Sequence, residues 1–253
     1  MRRIALAVGR GLLIAACGLL AWQALVWLTG VPRFILPGPL LVGERLWDAR
    51  TLIAEHAWIT YSEILIGFVL GALLGVGTAF QMILSPFYRT VMRPIVVFSQ
   101  AIPIFALAPI ITLWLGYGVA SKILVVVLLI YFPVASAFFD GLSKTPQGPL
   151  DLARVMGATP TRIAWRLRAP YAIPALSSGL RLAVAAAPFG AVIGEWVGAS
   201  KGLGHMMLLA NGRGQADLMF ACLIALAAFT VLLYFAVDAL GDALIARFAD
   251  PRG

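Results

Sequence analysis

Six long apolar stretches constrain this chain more than any other feature: approximately Gly11 to Gly30, Ile64 to Leu84, Pro94 to Leu115, Lys122 to Phe139, Ile173 to Trp196 and Leu218 to Leu240. A helical residue rises about 1.5 Å and a bilayer's hydrocarbon core is about 30 Å thick, so roughly 20 apolar residues make one crossing. Transmembrane strands would be half as long and would alternate in polarity. The run Ile123-Leu124-Val125-Val126-Val127-Leu128-Leu129-Ile130 does not alternate. The sequence therefore predicts an all-α polytopic membrane protein with six transmembrane helices, forming a single transmembrane domain over residues 1–253. Composition agrees. Of 253 residues, 62% are hydrophobic and only 12% charged, whereas a soluble domain carries about a quarter charged residues. A cytosolic enzyme, a nucleic-acid-binding domain and a disordered linker are all excluded on that ground.

The net charge of +8 is read first as topology. With the N-terminus inside, the inside connections hold twelve basic residues: Arg2, Arg3, Arg10, Arg89, Arg93, Lys144, Arg154, Arg162, Arg166, Arg168, Arg247 and Arg252. The outside ones hold six: Arg33, Arg45, Arg50, Lys122, Lys201 and Arg213. Basic residues concentrate on the cytoplasmic side, which puts both termini there. Arg2 and Arg3 before an apolar run, and Ile14-Ala15-Ala16-Cys17 within it, have some look of a signal with a lipidated cysteine. The apolar core nevertheless continues through Leu19, Leu20, Trp22, Leu25, Val26 and Leu28, longer than a signal's, and predicts a retained anchor. Cys17 and Cys222 lack the spacing of a disulfide framework or a metal site.

Residue size sorts the spans. Gly67, Gly71 and Gly75 lie four apart and share one face of the second span, a groove suited to close helix packing within the chain or across a dimer. The fifth span is built of small residues, among them Ala183, Ala187, Gly190, Ala191 and Gly194, and is expected inside the bundle, where it can line a pathway. The fourth, rich in Val, Leu and Ile, is expected to face lipid. Pro94, Pro103 and Pro109 interrupt the third span, which is expected to be kinked or partly unwound and to line or move a pathway; Gln100 is its polar side chain. Arg181 and Glu195 bracket the fifth span. Arg181 can snorkel to the cytoplasmic interface. Glu195 either bonds backbone in the loop that follows or stands as a polar group at an outer gate.

The longest inside connection, about 140–171, is expected to be ordered. Asp151 complements the positive end of a short helix, Leu152, Val155 and Met156 share one face, and Gly157 suits a left-handed stop. Thr159 and Pro160 read as N-cap and first position of a second short helix, with Arg162 and Arg166 on one face and Ile163 and Leu167 on the next. A knob of this kind fits an interfacial element on anionic lipid or, better, a docking surface for a cytoplasmic partner. No G-x-x-x-x-G-K-[ST] loop or H-E-x-x-H is present. Any ATP used must be bound by another chain.

In this loop Asp151-Leu152-Ala153, Gly157, Leu167 and Ala169-Pro170 resemble the Glu-Ala-Ala, Gly, Ile, Leu-Pro pattern of type I binding-protein-dependent ABC importer permeases. Ala153, Gly157 and Pro170 match outright, and Leu152 and Ala169 depart. Three further segments are similar to the nitrate, sulfonate and taurine branch: Phe34-Ile35-Leu36-Pro37-Gly38-Pro39; Ile102 to Pro109 with Leu113-Trp114-Leu115-Gly116-Tyr117-Gly118; and Gly194-Glu195-Trp196-Val197-Gly198 with Gly202-Leu203-Gly204. Glu63 and the run Ala187 to Trp196 look most like permeases for pyrimidine precursors of thiamine, such as hydroxymethylpyrimidine.

The resemblance implies a non-enzymatic permease subunit of a bacterial inner membrane. It would work as a homodimer, with a cytoplasmic ABC ATPase dimer holding ATP and Mg and an extracytoplasmic binding protein delivering solute. The residues it puts against the ATPase are Asp151, Ala153, Arg154, Met156, Gly157, Ala158 and Thr159. Those it puts near the pathway or gate are Gln100, Pro103, Pro109, Glu195 and Trp196. The chain itself is expected to bind no cofactor, metal or nucleic acid. A sulfonate, nitrate or taurine permease is the alternative within the branch. An ion-coupled secondary transporter, which would need ionisable groups near the bilayer midplane, is the alternative outside it, followed by a membrane-embedded enzyme.

Overall fold

Where three glycines of one helix meet the branched side chains of another, the two backbones can approach to contact, and that pairing organises this protein. The computed structural model describes the backbone of residues 2–248 and the side chains of residues 13–248. Its elements are α1 (Arg2–Thr29), α2 (Pro39–Asp48), α3 (Arg50–Leu84), α4 (Pro86–Ala101), α5 (Ile104–Leu115), α6 (Val119–Ser143), α7 (Gln147–Val155), α8 (Pro160–Ile163), a π turn (Ala164–Arg168), α9 (Ala169–Gly198), α10 (Leu203–Gly212) and α11 (Ala216–Phe248). Among the described residues there is no strand.

Among the described residues, four helices are each long and apolar enough to cross a membrane: α3, α6, α11 and the continuous Pro160–Gly198. The first expected span falls within α1 (Arg2–Thr29), whose part Leu13–Thr29 is an apolar helix among the residues with described side chains. The Arg2, Arg3 and Arg10 side chains, and Arg252, lie outside what is described. Chain alternation gives the bundle two ends. One carries α7; the other carries α10.

The third span is interrupted at a proline, as expected, and the interruption is a sharp break into two helices, α4 and α5, that meet at 103°. At about 1.5 Å per residue, their 16 and 12 residues span about 24 and 18 Å, less than a bilayer core. The break falls at Pro103. A proline pushes the residue before it out of the helical region, and Ile102 is extended at φ −86°, ψ 120°. Pro94 and Pro109 stay inside their helices.

The lipid-facing fourth span is corrected. α6 lies between α3 and α9, with half (50%) of its apolar stretch buried against 22% for α11. The reason is volume. A Cβ on Gly71 would come 2.9 Å from Ile130, and one on Gly75 3.0 Å from the Tyr131 carbonyl and the Ala135 nitrogen. On the other side Gly179, Gly190 and Gly194 of α9 abut Pro133, Val126 and Lys122. Large residues of α6 fill room left by glycines on both neighbours. α9 is inside the bundle as expected, with Ala183, Ala187 and Ala191 fully buried.

The 140–171 connection is less of a loop than expected. Its first residues finish α6, and from Pro160 the chain is already the long helix that becomes α9. The π turn joins the two parts, with Ala169 N donating to Ala164 O just before Pro170, which has no N–H to give.

Candidate functional site

At the α7 end the local sequence dictates a knob. Gly157 adopts φ +74°, Gly157 N donates to Arg154 O at 2.9 Å and Ala158 N to Ala153 O at 3.0 Å. These two bonds are a Schellman stop, which favours glycine at its left-handed position. Thr159 Oγ1 then accepts from Arg162 N at 3.3 Å and Pro160 opens the next helix. Leu150 is buried, whereas Leu152, Val155 and Met156 are 62%, 86% and 77% exposed. Asp151 does not sit at the positive end of α7, which begins four residues earlier. It pairs instead with Arg154 at 2.7 Å on the exposed surface.

Behind the knob, Ile163 and Ala164 are buried while Arg162 and Arg166 are exposed. Trp165 stacks on Phe80 of α3 with ring centroids 4.1 Å apart. Arg168 Nη1 donates to Leu142 O, near the end of α6, at 2.8 Å. The segment behind the knob is thus fastened to α3 and α6 and runs on into α9. Sequence reasoning missed both fastenings, counting Arg168 only as loop charge.

At the α4–α5 break a cavity of about 300 Å³ is lined by Ser99, Gln100, Pro103, Leu107, Leu128 and Leu129. Gln100 and Pro103 are exposed, and Pro109 lies further along α5, also exposed. Gly67, Gly71 and Gly75 face α6 within the chain.

The α10 end holds a buried polar cluster. Glu195 is fully buried. Its Oε1 accepts from Thr60 Oγ1 at 2.6 Å, and its Oε2 from Gly204 N at 2.6 Å and His205 N at 3.2 Å. Of the two roles the sequence leaves open for Glu195, this geometry is that of a carboxylate bonded to backbone in the following segment. Trp196 Nε1 donates to Gly204 O at 2.9 Å. Lys122 is corrected: it is buried at 7% exposure and pairs with fully buried Glu63 at 3.5 Å, so it does not count among outside-loop cations. Arg181, part exposed, bridges Asp238 at 2.5 Å and Asp242 at 2.9 Å in the second half of α11. Thr60, His56 and Lys122 belong to the cluster and carried no sequence signal that pointed to it.

The cluster holds ionisable groups against protein partners, and no group of three or more His, Cys, Asp or Glu among the described residues is arranged to hold a metal ion. A "Probable ABC transporter permease protein" of Haemophilus influenzae is 48% identical over 227 residues, 90% of this chain and 93% of that protein. The formylaminopyrimidine transport permease ThiX of Halalkalibacterium halodurans is 35% identical, covering 88% and 90%. The riboflavin transport permease RibX of Chloroflexus aurantiacus is also 35% identical, covering 85% and 81%. In fold, the chain is similar to one from inward-facing structures of the MetNI methionine ABC transporter, with a TM-score of 0.68, 23% identity and coverage of 78% and 98%. Residues 63–250 match the family described as the binding-protein-dependent transport system inner membrane component. The chain is therefore a multi-pass membrane permease subunit and belongs to that family.

Proposed function

We propose that this permease imports a small nitrogen heterocycle of the thiamine-precursor class, hydroxymethylpyrimidine-like, across a bacterial cytoplasmic membrane. Two copies form the pathway, with both termini and the α7 end inside. A separate ATPase pair, supplying ATP and Mg chemistry, receives the knob formed by Asp151, Ala153, Arg154, Met156, Gly157, Ala158 and Thr159. A binding protein delivers solute at the α10 end, where Trp196 belongs to the outer gate and Glu195 holds the α10 segment beside it; Gln100, Pro103 and Pro109 lie along the path. The observation carrying the energy-coupling half is the exposed row Leu152, Val155 and Met156 beside a rigid Schellman stop. Such a row suits a protein groove, which buries apolar area and fixes orientation. The substrate half is supported by the permeases named for formylaminopyrimidine and riboflavin, both of them carriers of nitrogen heterocycles.

The test is reconstitution in liposomes with the partner ATPase and binding protein, following ATP hydrolysis and uptake of labelled hydroxymethylpyrimidine. Uptake stimulated by the loaded binding protein is expected. Gly157→Trp should leave the permease inserted but abolish stimulated hydrolysis. Full stimulation in that variant would refute the coupling assignment, and uptake of taurine, sulfonates or nitrate in place of pyrimidines would refute the substrate.

A further inference from the structure

The first turn of α10 is capped entirely by side chains from other helices. Four successive residues are involved. His56 Nδ1 lies 3.0 Å from both Gly202 N and Gly202 O, accepting from the amide in the tautomer protonated on Nε2 and donating to the carbonyl in the other, so it ties this residue to α3 either way. Leu203 N donates to Thr60 Oγ1 at 2.8 Å. Gly204 N and His205 N donate to Glu195 at 2.6 and 3.2 Å. A helix start leaves its first amides without partners inside the helix, and here α3 supplies two partners and α9 the third. His56 and Thr60 share a face of α3 because they are four residues apart. The Thr60 hydroxyl works in both directions, accepting from Leu203 N and donating its one proton to Glu195. No slack is left around the carboxylate. A Cβ on Gly202, which sits at φ +121°, would collide with the Glu195 carboxyl group, and one on Gly204 would come 2.9 Å from its Oε2. Lys122 of α6 and Glu63 of α3 complete the cluster beneath.

We propose that Glu195, acting with Thr60 and His56, is a positioning residue that welds the start of α10 to α3, so that α10 and the turn after α9 travel with α3 as one body. Pulling α10 away would strip the amides of Leu203, Gly204 and His205 and the Glu195 carboxylate of their partners at once. The weld therefore survives the transport cycle, and opening at this end of the bundle occurs between bodies, not within this one. The part concerning the cycle rests on the importer reading; the weld itself does not.

The test uses the full chain with Cys17→Ser and Cys222→Ser, spin-labelled at the exposed positions Trp58→Cys on α3 and Leu209→Cys on α10. Labelled permease is diluted with unlabelled copies in nanodiscs, and label-to-label distances are measured for permease alone and for the complex trapped with ATP. One narrow distribution, the same in both states, is expected. Glu195→Ala and Thr60→Val should broaden it, and Glu195→Gln, whose amide oxygen still accepts from Gly204 and His205, should keep it narrow. Glu195→Ala should also lower solute carried per ATP hydrolysed, a ratio that mere loss of folded protein leaves unchanged, and Glu195→Gln should restore it. A shift between states larger than one helical turn, about 5.4 Å, or unbroadened distances in both Glu195→Ala and Thr60→Val, would overturn the weld. If Glu195→Ala fails to insert, Thr60→Val against Glu195→Gln decides the matter. A complex that never hydrolyses ATP would sink the importer reading, while the distances in permease alone would still test the weld.

Discussion

Replacing Gly71 by alanine puts one methyl group where α3 and α6 touch. That Cβ would lie 2.9 Å from both Cβ and Cγ2 of Ile130 and 3.0 Å from the Val127 carbonyl oxygen. None of these atoms is the free end of a flexible side chain. Nor can α6 retreat, because Gly190 of α9 holds it from behind, with a built Cβ 3.0 Å from Val126 Cα. Overpacking of this kind costs about 1–3 kcal/mol, partly offset by alanine's helix-propensity advantage of up to about 1 kcal/mol over glycine. Gly77→Ala separates the two terms, since Gly77 is on the same helix with nothing within 4 Å of its built Cβ. The same propensity gain applies there without the clash. The difference between the two variants should therefore be about 1–3 kcal/mol, or about 5- to 150-fold in the unfolding equilibrium. Equilibrium unfolding by SDS titration from mild detergent, read by tryptophan fluorescence, measures it. If Gly71→Ala proves as stable as Gly77→Ala, the close approach of α3 and α6 is wrong.

Lys122→Met would leave Glu63 buried without its cation and should destabilise the fold by about 3–5 kcal/mol, while adding Glu63→Gln should recover most of the loss; the same titration reads both, and equal damage in single and double variants would show that the pair is not coupled. Trp165→Ala removes the stack on Phe80 and should cost only about 1 kcal/mol, because Trp165 is more than half exposed. It should nevertheless reduce uptake per ATP in liposomes, and unchanged uptake per ATP would show that motion of the knob does not pass through this contact.

What could be read in the sequence was what local chemistry decides. Gly157 and the Thr159-Pro160 pair determine a stop and a start within a few residues, so the knob's turn was legible, as was the apolar length of α3, α6, α9 and α11. The position of α6 was not. Lipid tails are as apolar as leucine, so a Val, Leu and Ile helix has the same composition whether it faces lipid or glycine-lined neighbours. The glycines of α3 announced a close contact without naming the partner. Three prolines looked equivalent in the third span, yet only Ile102-Pro103 is extended, a choice made by packing around α4 and α5. The polar cluster was least legible of all. Thr60 and Glu195 are 135 residues apart, and Lys122, four residues into α6, looks the same in sequence as a loop cation.

The π turn at Ala164–Arg168 gives the 39-residue helix Pro160–Gly198 an uneven tolerance to changes in chain length. A π turn holds about one residue more than the α-helix it interrupts. Loss of a single residue there can be absorbed by tightening to α-helical bonding, with the faces on either side still in phase. Loss of a residue between Ala172 and Gly194 has no such reserve. It would turn everything beyond it by about 100°, taking Glu195 away from the amides of α10 while leaving the knob untouched. Of the two ends of this helix, only the one at α7 can be shortened by a residue without disconnecting the other.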